Sequence, residues 1–172
     1  ADGVKRTTME LGGHAPVLIF DDCDLEKAIS LSATTKFRNA GQVCISPTRF
    51  YVQEGVYDRF VAGFAEHTKK VQVGNGLDSD TVMGPLANAR RPSAIAALVE
   101  DATAKGANLL TGGSRGNHGF FFTPTVLSDV PMSAKVMDDE PFGPVALMRP
   151  FKTFDEAIEQ ANRLPFGLAA YA

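Results

Sequence analysis

The chain has 172 residues, of which 44% are hydrophobic and 22% charged, and its formal net charge is −3. These values are typical of one globular domain with a sizeable core, and they exclude the basic excess by which proteins bind nucleic acid or an anionic membrane surface. No apolar run is long enough to span a membrane, and two cysteines do not make a disulfide framework, so we expect a cytoplasmic protein.

The first half of the chain is predicted to alternate between strands and helices. An unbroken apolar run predicts a buried strand at residues 17–20, and Asp24 is a suitable N-cap for the helix that follows. Apolar residues at helical spacing predict helices at residues 25–39 and 56–70, with a strand at residues 50–52 between them.

The second half continues this alternation. The same patterns predict helices at residues 87–105 and 155–163, extended segments at 108–111, 120–126 and 145–151, and the start of a strand at 168–172. Strands that alternate with helices indicate an α/β fold with a largely parallel sheet.

Cys44 is the first candidate for chemistry. It follows a predicted helix and Gly41, so it lies on a connecting loop, where functional side chains concentrate. A thiol attacks as thiolate, and backbone N–H groups in this turn can stabilise both the thiolate and an oxyanion. The alternative is that Cys44 is a small buried apolar residue. Cys23 lies among three aspartates that disfavour a thiolate, so we interpret it as structural.

Glu10 is the second candidate, just before the Gly12-Gly13 pair and the first strand. Met9 and Leu11 flank it, and partial removal from water would make the carboxylate a stronger base. The alternative is a solvated glutamate. His14, beside this turn, is expected to be packed or exposed rather than catalytic, and three histidines without a cysteine cluster predict no metal site.

Three short segments together carry a resemblance to the aldehyde dehydrogenase family. They are Met-Glu-Leu-Gly-Gly at residues 9–13, Gly-Gln-Val-Cys at residues 41–44 and Glu-Pro-Phe-Gly-Pro at residues 140–144. Their order and spacing resemble those of the family over essentially the whole chain. The resemblance implies a three-layer αβα catalytic domain with a largely parallel sheet.

The resemblance also implies a reaction. Cys44 would attack the carbonyl carbon of a small aldehyde to give a thiohemiacetal, hydride would pass to NAD or NADP, and Glu10 would activate the water that hydrolyses the resulting thioester. Glu140, Phe142 and Gly12 would contact the cofactor, because a carboxylate accepts hydrogen bonds from ribose hydroxyls and an aromatic ring packs on the sugar.

The stretch Lys-Phe-Arg-Asn-Ala-Gly-Gln at residues 36–42 resembles the succinate-semialdehyde dehydrogenase branch of the family. That resemblance implies that Arg38 binds the substrate carboxylate, with Ile45 also at the substrate; the alternative for Arg38 is a structural ion pair. Ser46 replaces the second cysteine often found in this branch, so no disulfide switch is expected there. His14 stands where the family usually has Lys or Asn.

Residues 1–172 are expected to be a single catalytic-domain segment of a longer protein, whose N-terminal coenzyme domain and C-terminal end are absent. The resemblance implies that the parent protein is a homodimer or homotetramer, and we expect the segment alone to bind cofactor poorly. Two alternatives stay open. One is a catalytically silent module that serves oligomer contacts, and the other is a cofactor-free thiol acyl hydrolase, which needs a histidine near Cys44.

Overall fold

The computed structural model describes residues 3–172. Five strands form one sheet: β1 (Ala15–Ile19), β2 (Pro47–Gln53), β3 (Asn108–Thr111), β4 (Thr125–Ser128) and β5 (Val145–Phe151). Four helices accompany them: α1 (Leu25–Phe37), α2 (Glu54–Lys69), α3 (Arg90–Ala104) and α4 (Phe154–Ala161). Arg38–Gly41 and Lys135–Met137 are short 3-10 helices.

The strand order in the sheet is β1-β2-β5-β4-β3. All neighbouring strands are parallel except β3 and β4, which are antiparallel. In the register of the sheet Val17 pairs with Phe50, and Phe50 with Met148. The predicted α/β fold with a largely parallel sheet is therefore confirmed.

This strand order brings distant parts of the sequence together. Residues 9–13 precede β1, residues 41–44 precede β2 and residues 140–144 precede β5. Because β1, β2 and β5 are adjacent and parallel, their amino ends lie at the same edge of the sheet. The three segments that carry the family resemblance therefore meet at that edge.

Helices α1 and α2 enclose an aromatic cluster against the sheet. Phe50 of β2 packs edge-on against Phe64 of α2, with ring centroids 5.1 Å apart, and Phe60 and Phe37 pack around the same ring. All four rings are at most 1% exposed. This core fixes the position of β2 and of the end of α1, between which Cys44 lies.

The first predicted helix is two residues shorter than expected. Asp24 is its N-cap, as predicted, and accepts a hydrogen bond from the backbone N–H of Lys27 (3.2 Å). The helix ends at Phe37 rather than at residue 39, because Asn39 and Ala40 have left-handed φ values of 51° and 54°.

Other boundaries also differ from the sequence predictions. Helix α2 begins at Glu54 rather than at residue 56, and α3 begins at Arg90 rather than at residue 87, so that Pro92 falls in the first helical turn, where proline is tolerated.

Two segments that the sequence predicts to be extended, residues 120–126 and 168–172, form less β-sheet pairing with neighbouring strands than predicted. The stretch 120–124 forms only an isolated bridge, between Phe122 and Arg115, and the strand proper is β4. Of residues 168–172, only Tyr171 pairs, as a single parallel bridge to Val17 at the edge of β1. In the described part of the chain, no helix has both the length and the apolar character needed to cross a membrane.

Candidate active site

The segments that meet at the amino ends of β1, β2 and β5 line one open cleft of about 660 Å³. Its lining includes every residue that the sequence assigned to catalysis or cofactor binding: Glu10, Gly12, Cys44, Glu140 and Phe142. Leu11, Gln42, Val43 and Arg91 complete it. The candidate thiol, carboxylates and aromatic ring thus share one solvent-accessible space.

Gly13 is the point where the three segments touch. Its backbone N–H donates to Glu140 Oε1 (3.0 Å), and a Cβ atom placed on it would overlap the carbonyl oxygen of Cys44. A Cβ on the neighbouring Gly12 would lie 2.5 Å from Glu140 Oε2. Gly13 is therefore required by the close approach of the Cys44 backbone, whereas a side chain at position 12 would be accommodated only by moving the carboxylate of Glu140.

Cys44 lies in a tightly turned segment, residues 38–46, which we call the cysteine loop. Asn39, Ala40 and Gly41 are consecutive left-handed residues, with φ of 51°, 54° and 68°. This conformation costs about 1–2 kcal/mol at each non-glycine residue, and such strain persists only where surrounding contacts enforce it.

Several hydrogen bonds enforce the turn. The side chain of Asn39 donates to the carbonyl of Gln42 (3.1 Å), and the side chain of Gln42 donates to the carbonyl of Asn39 (3.2 Å). Gln42 Oε1 also accepts from the backbone N–H of Ala87 (2.8 Å), which links the loop to the segment before α3. At the far end of the loop, the Tyr171 hydroxyl donates to the carbonyl of Ile45 (2.6 Å).

Cys44 is a half-buried free thiol that faces the cleft. The backbone N–H groups of Cys44 and Ile45 donate to no other residue within 3–172. The other cysteine differs. Burial raises the pKa of the Cys23 thiol, and the charges of Asp22 and Asp24 raise it further.

Glu10 lines the cleft and lies in the more solvated of the two environments that the sequence allowed. Glu10 is exposed, and so are Met9 (67%) and Leu11 (62%). Within residues 3–172 the carboxylate is therefore solvated, which is the alternative considered from the sequence, because no described side chain covers its two apolar neighbours.

The turn that carries Glu140 and Phe142 is held by a residue that the sequence reasoning missed. Arg91, in the first turn of α3, donates through Nη2 to the carbonyls of Pro141 and of Phe142, the latter at 3.1 Å. Phe142 itself has a left-handed φ of 40° and leaves 37% of its surface exposed in the cleft.

The two predicted substrate residues lie outside the lining of the cleft. Arg38 is exposed at the end of α1, and Ile45 is 45% exposed. Arg38 makes no salt bridge with a carboxylate of residues 3–172, so the structural ion pair considered as an alternative is not found in that range.

The histidines are placed away from the cleft. His14 is 1% exposed and pairs through Nε2 with the carbonyl of Val136 (2.9 Å). Burial, with a smaller contribution from nearby Arg49 and Lys36, lowers its pKa to about 3, so the ring is neutral. His67 and His118 do not line the cleft either, so among the described residues that share the cleft with Cys44 there is no histidine for the thiol hydrolase alternative.

The fold and the cleft are those of an α/β protein with a cysteine at the centre of its candidate active site. The model of the aldehyde dehydrogenase family matches residues 1–172. The chain therefore belongs to the aldehyde dehydrogenase family, a family of oxidoreductases.

Similar proteins are named for different substrates. The chain is 47% identical over 168 residues to 4-(hydroxymethyl)benzenesulfonate dehydrogenase of Comamonas testosteroni, covering 98% of this chain and 35% of the relative. It is 45% identical over 172 residues to the NADP-dependent succinate-semialdehyde dehydrogenase of Escherichia coli, covering 99% and 36%. The crystal structure of succinate-semialdehyde dehydrogenase from Burkholderia pseudomallei matches 98% of this chain and 36% of its own, with a TM-score of 0.94 and 43% identity. The chain thus spans about a third of the length of these relatives.

Proposed function

We propose that this chain carries the catalytic centre of an enzyme that oxidises an aldehyde to the carboxylic acid with NAD or NADP. The observation that carries the proposal is the shared cleft, in which Cys44 and Glu10 face Glu140 and Phe142. Membership of the aldehyde dehydrogenase family supports the reaction class, and one relative is named as NADP-dependent.

Cys44 begins the reaction as the nucleophile. Its thiolate forms a bond to the carbonyl carbon of the aldehyde, and the carbonyl oxygen takes the electron pair, which gives a thiohemiacetal. The N–H groups of Cys44 and Ile45, which donate to no other residue within 3–172, are suited to bind that developing oxyanion.

Glu140, Phe142 and Gly12 form the wall that suits the cofactor. Glu140 gives one hydrogen-bonding position to Gly13 and keeps other lone pairs for ribose hydroxyls, while the exposed ring of Phe142 offers a face to the sugar. Because Gly12 has no side chain, it leaves Glu140 Oε2 uncovered; a Cβ atom at that position would crowd the oxygen. NAD or NADP, when bound, accepts the hydride that leaves the substrate carbon.

Glu10 completes the cycle. Loss of hydride leaves a thioester on Cys44, and Glu10 takes a proton from a water molecule whose oxygen bonds to the thioester carbon. The carboxylic acid then leaves, and the sulfur of Cys44 retains the electron pair of the broken bond. Since Glu10 is exposed, it is within reach of water from the cleft side.

We further propose a small aldehyde with an anionic group, succinate semialdehyde first, as the substrate. One relative is named for a sulfonate and another for succinate semialdehyde, and both compounds carry a negative charge. Arg38 is exposed on the cysteine loop without a carboxylate partner in residues 3–172, and its guanidinium can pair bidentately with a carboxylate or sulfonate.

Acetylation by p-nitrophenyl acetate tests the nucleophile without the coenzyme domain. Peptide masses should show an acetyl group on Cys44 that is lost in Cys44→Ser and kept in Cys23→Ser, because the pKa of the Cys23 thiol is raised by burial. Acetylation of Cys23 instead, or of neither cysteine, would contradict a preorganised nucleophile. Cofactor binding by residues 1–172 alone should be weak.

A further inference from the structure

Lys36 is a fully buried lysine beneath the cysteine loop. It is the last residue but one of α1 and is 0% exposed. It makes no salt bridge with a carboxylate of residues 3–172. A buried ammonium without a counter-charge is costly, and a methionine would fill a similar volume without that cost. The presence of a lysine at this buried position therefore indicates that its amine makes a polar contact that an apolar side chain could not make.

The contacts of the Lys36 amine lie at both ends of the segment that carries Cys44. Nζ donates to the hydroxyl of Ser46 (3.4 Å), which is itself buried, at 7% exposure. A Cβ atom placed on Gly41 would lie 3.3 Å from the same Nζ, so the amine also packs against that turn. Gly41 and Ser46 flank residues 42–45, and Lys36 spans the gap between them.

The charge state of Lys36 is consistent with this role. Burial lowers its pKa to about 7, so near neutral pH much of the side chain is an uncharged amine that can remain in the interior. An amine keeps two N–H donors for Ser46, so the contact survives loss of the charge.

We propose that Lys36 is a positioning residue that holds residues 42–45 of the cysteine loop in place, through its hydrogen bond to Ser46 and its packing against Gly41, and thereby keeps the backbone N–H groups beside Cys44 free to bind an oxyanion. The inference rests on the proposed role of Cys44 as nucleophile. It assigns a function to a side chain that touches neither substrate nor cofactor.

The first readout is the rate of amide hydrogen exchange at Gln42 and at residue 46, which NMR measures for each backbone N–H group. In the loop these N–H groups donate to the carbonyls of Asn39 (3.1 Å) and Val43 (2.9 Å). Exchange requires the loop to open locally, and in the wild type that opening breaks the Lys36–Ser46 contact. Lys36→Met and Ser46→Ala each remove this contact, so opening costs less free energy and exchange should be at least about tenfold faster. Lys27→Met is the matched control, since Lys27 lies exposed on the same helix, and it should leave the exchange unchanged.

The second readout separates positioning from general damage. Acylation of Cys44 by p-nitrophenyl acetate passes through an oxyanion that the loop N–H groups stabilise, whereas alkylation by iodoacetamide does not. Both variants should lower acylation at least about tenfold and change alkylation less than about threefold. The double variant should be no worse than the more severe single variant, because both remove one contact.

Four results would overturn the proposal. The first two are an unchanged rate of amide exchange in a folded Lys36→Met variant and equal losses in the rates of acylation and alkylation of Cys44. The other two are losses of acylation rate that multiply in the double variant, and a wild-type Cys44 that is alkylated by iodoacetamide but not acylated by the ester. If Lys36→Met does not fold, Ser46→Ala gives the same readouts. Exchange in the loop does not depend on aldehyde oxidation, so failure of the proposed dehydrogenase activity can be recognised separately.

Discussion

Gly13 determines how closely the nucleophile approaches the residues that surround it. A Cβ atom on this residue would overlap the carbonyl of Cys44, and the backbone N–H of Gly13 is bonded to Glu140. Gly13→Ala must therefore displace the cysteine loop or the segment that carries Glu10. We expect it to abolish most acylation of Cys44 and to destabilise the fold by about 1–3 kcal/mol, as overpacking does.

Gly76→Ala is the matched control for this change, because no atom lies within 4 Å of a Cβ built on Gly76. Urea unfolding and ester acylation measured on both variants separate a local collision from a general intolerance of alanine. Acylation by Gly13→Ala at the wild-type rate would show that the close approach is not needed for reactivity.

Lys36 should give the fold a pH dependence with a defined sign. Its pKa falls from 10.5 to about 7 on burial, so between these values the unfolded chain binds a proton that the folded chain does not. Stability therefore rises with pH across this window and is lowest below it, with a slope of up to about 1.4 kcal/mol per pH unit. Urea midpoints of the wild type should rise relative to those of Lys36→Met from about pH 7 to about pH 10; parallel midpoints would contradict this.

Arg38 is the residue at which substrate choice can be tested. If it binds the anionic end of the substrate, Arg38→Leu in the whole protein should raise KM for succinate semialdehyde about tenfold or more, since a charged hydrogen bond contributes about 1.5–3 kcal/mol. The KM for an uncharged aldehyde of similar length should change little. Equal effects on both aldehydes would reject the proposed role, and Arg59→Leu, at an exposed site on α2, controls for loss of charge.

At the scale of the elements, local sequence patterns predicted which helices and strands form, but they did not predict where each helix begins and ends. The strands Asn108–Thr111 and Val145–Phe151 agree with the predicted ranges, because turn residues bound both apolar runs. The helix before Cys44 ended early because Asn39 and Ala40 turn left-handed, and no local propensity predicts that conformation for alanine. Contacts with residues distant in sequence, among them Gln42 to Ala87, hold the turn instead.

The sequence predicted which residues line the candidate site, but it did not predict how they are arranged. The resemblance supplied Cys44, Glu10 and Glu140 without any view of the strand order that brings them to one edge. The sequence did not indicate Arg91 or Lys36, because what distinguishes them is tertiary contact: Arg91 with the carbonyls of Pro141 and Phe142, and Lys36 with Ser46. The exposure of Glu10 could not be inferred from its apolar neighbours, because burial depends on what packs over them.

At the scale of the whole molecule, the described residues form the sheet and the lining of one open cleft. The relatives are about three times as long, and the chain matches about a third of each. A robust NAD(P)-dependent rate from residues 1–172 alone would therefore contradict the expectation that these residues by themselves bind the cofactor weakly.

The placement of the three segments at the amino ends of β1, β2 and β5 also bears on the order of folding. Gly13 and Glu140, which are hydrogen-bonded in the cleft, are 127 residues apart in the chain. Contacts of such separation form late, because the entropy of closing the intervening loop must be offset first. Because β5 lies between β2 and β4, we expect the cleft to be completed only once β5 is in place, and a reactive Cys44 to mark chains that have finished folding. A chain released before β5 is synthesised would hold both Glu10 and Cys44 and still lack the site.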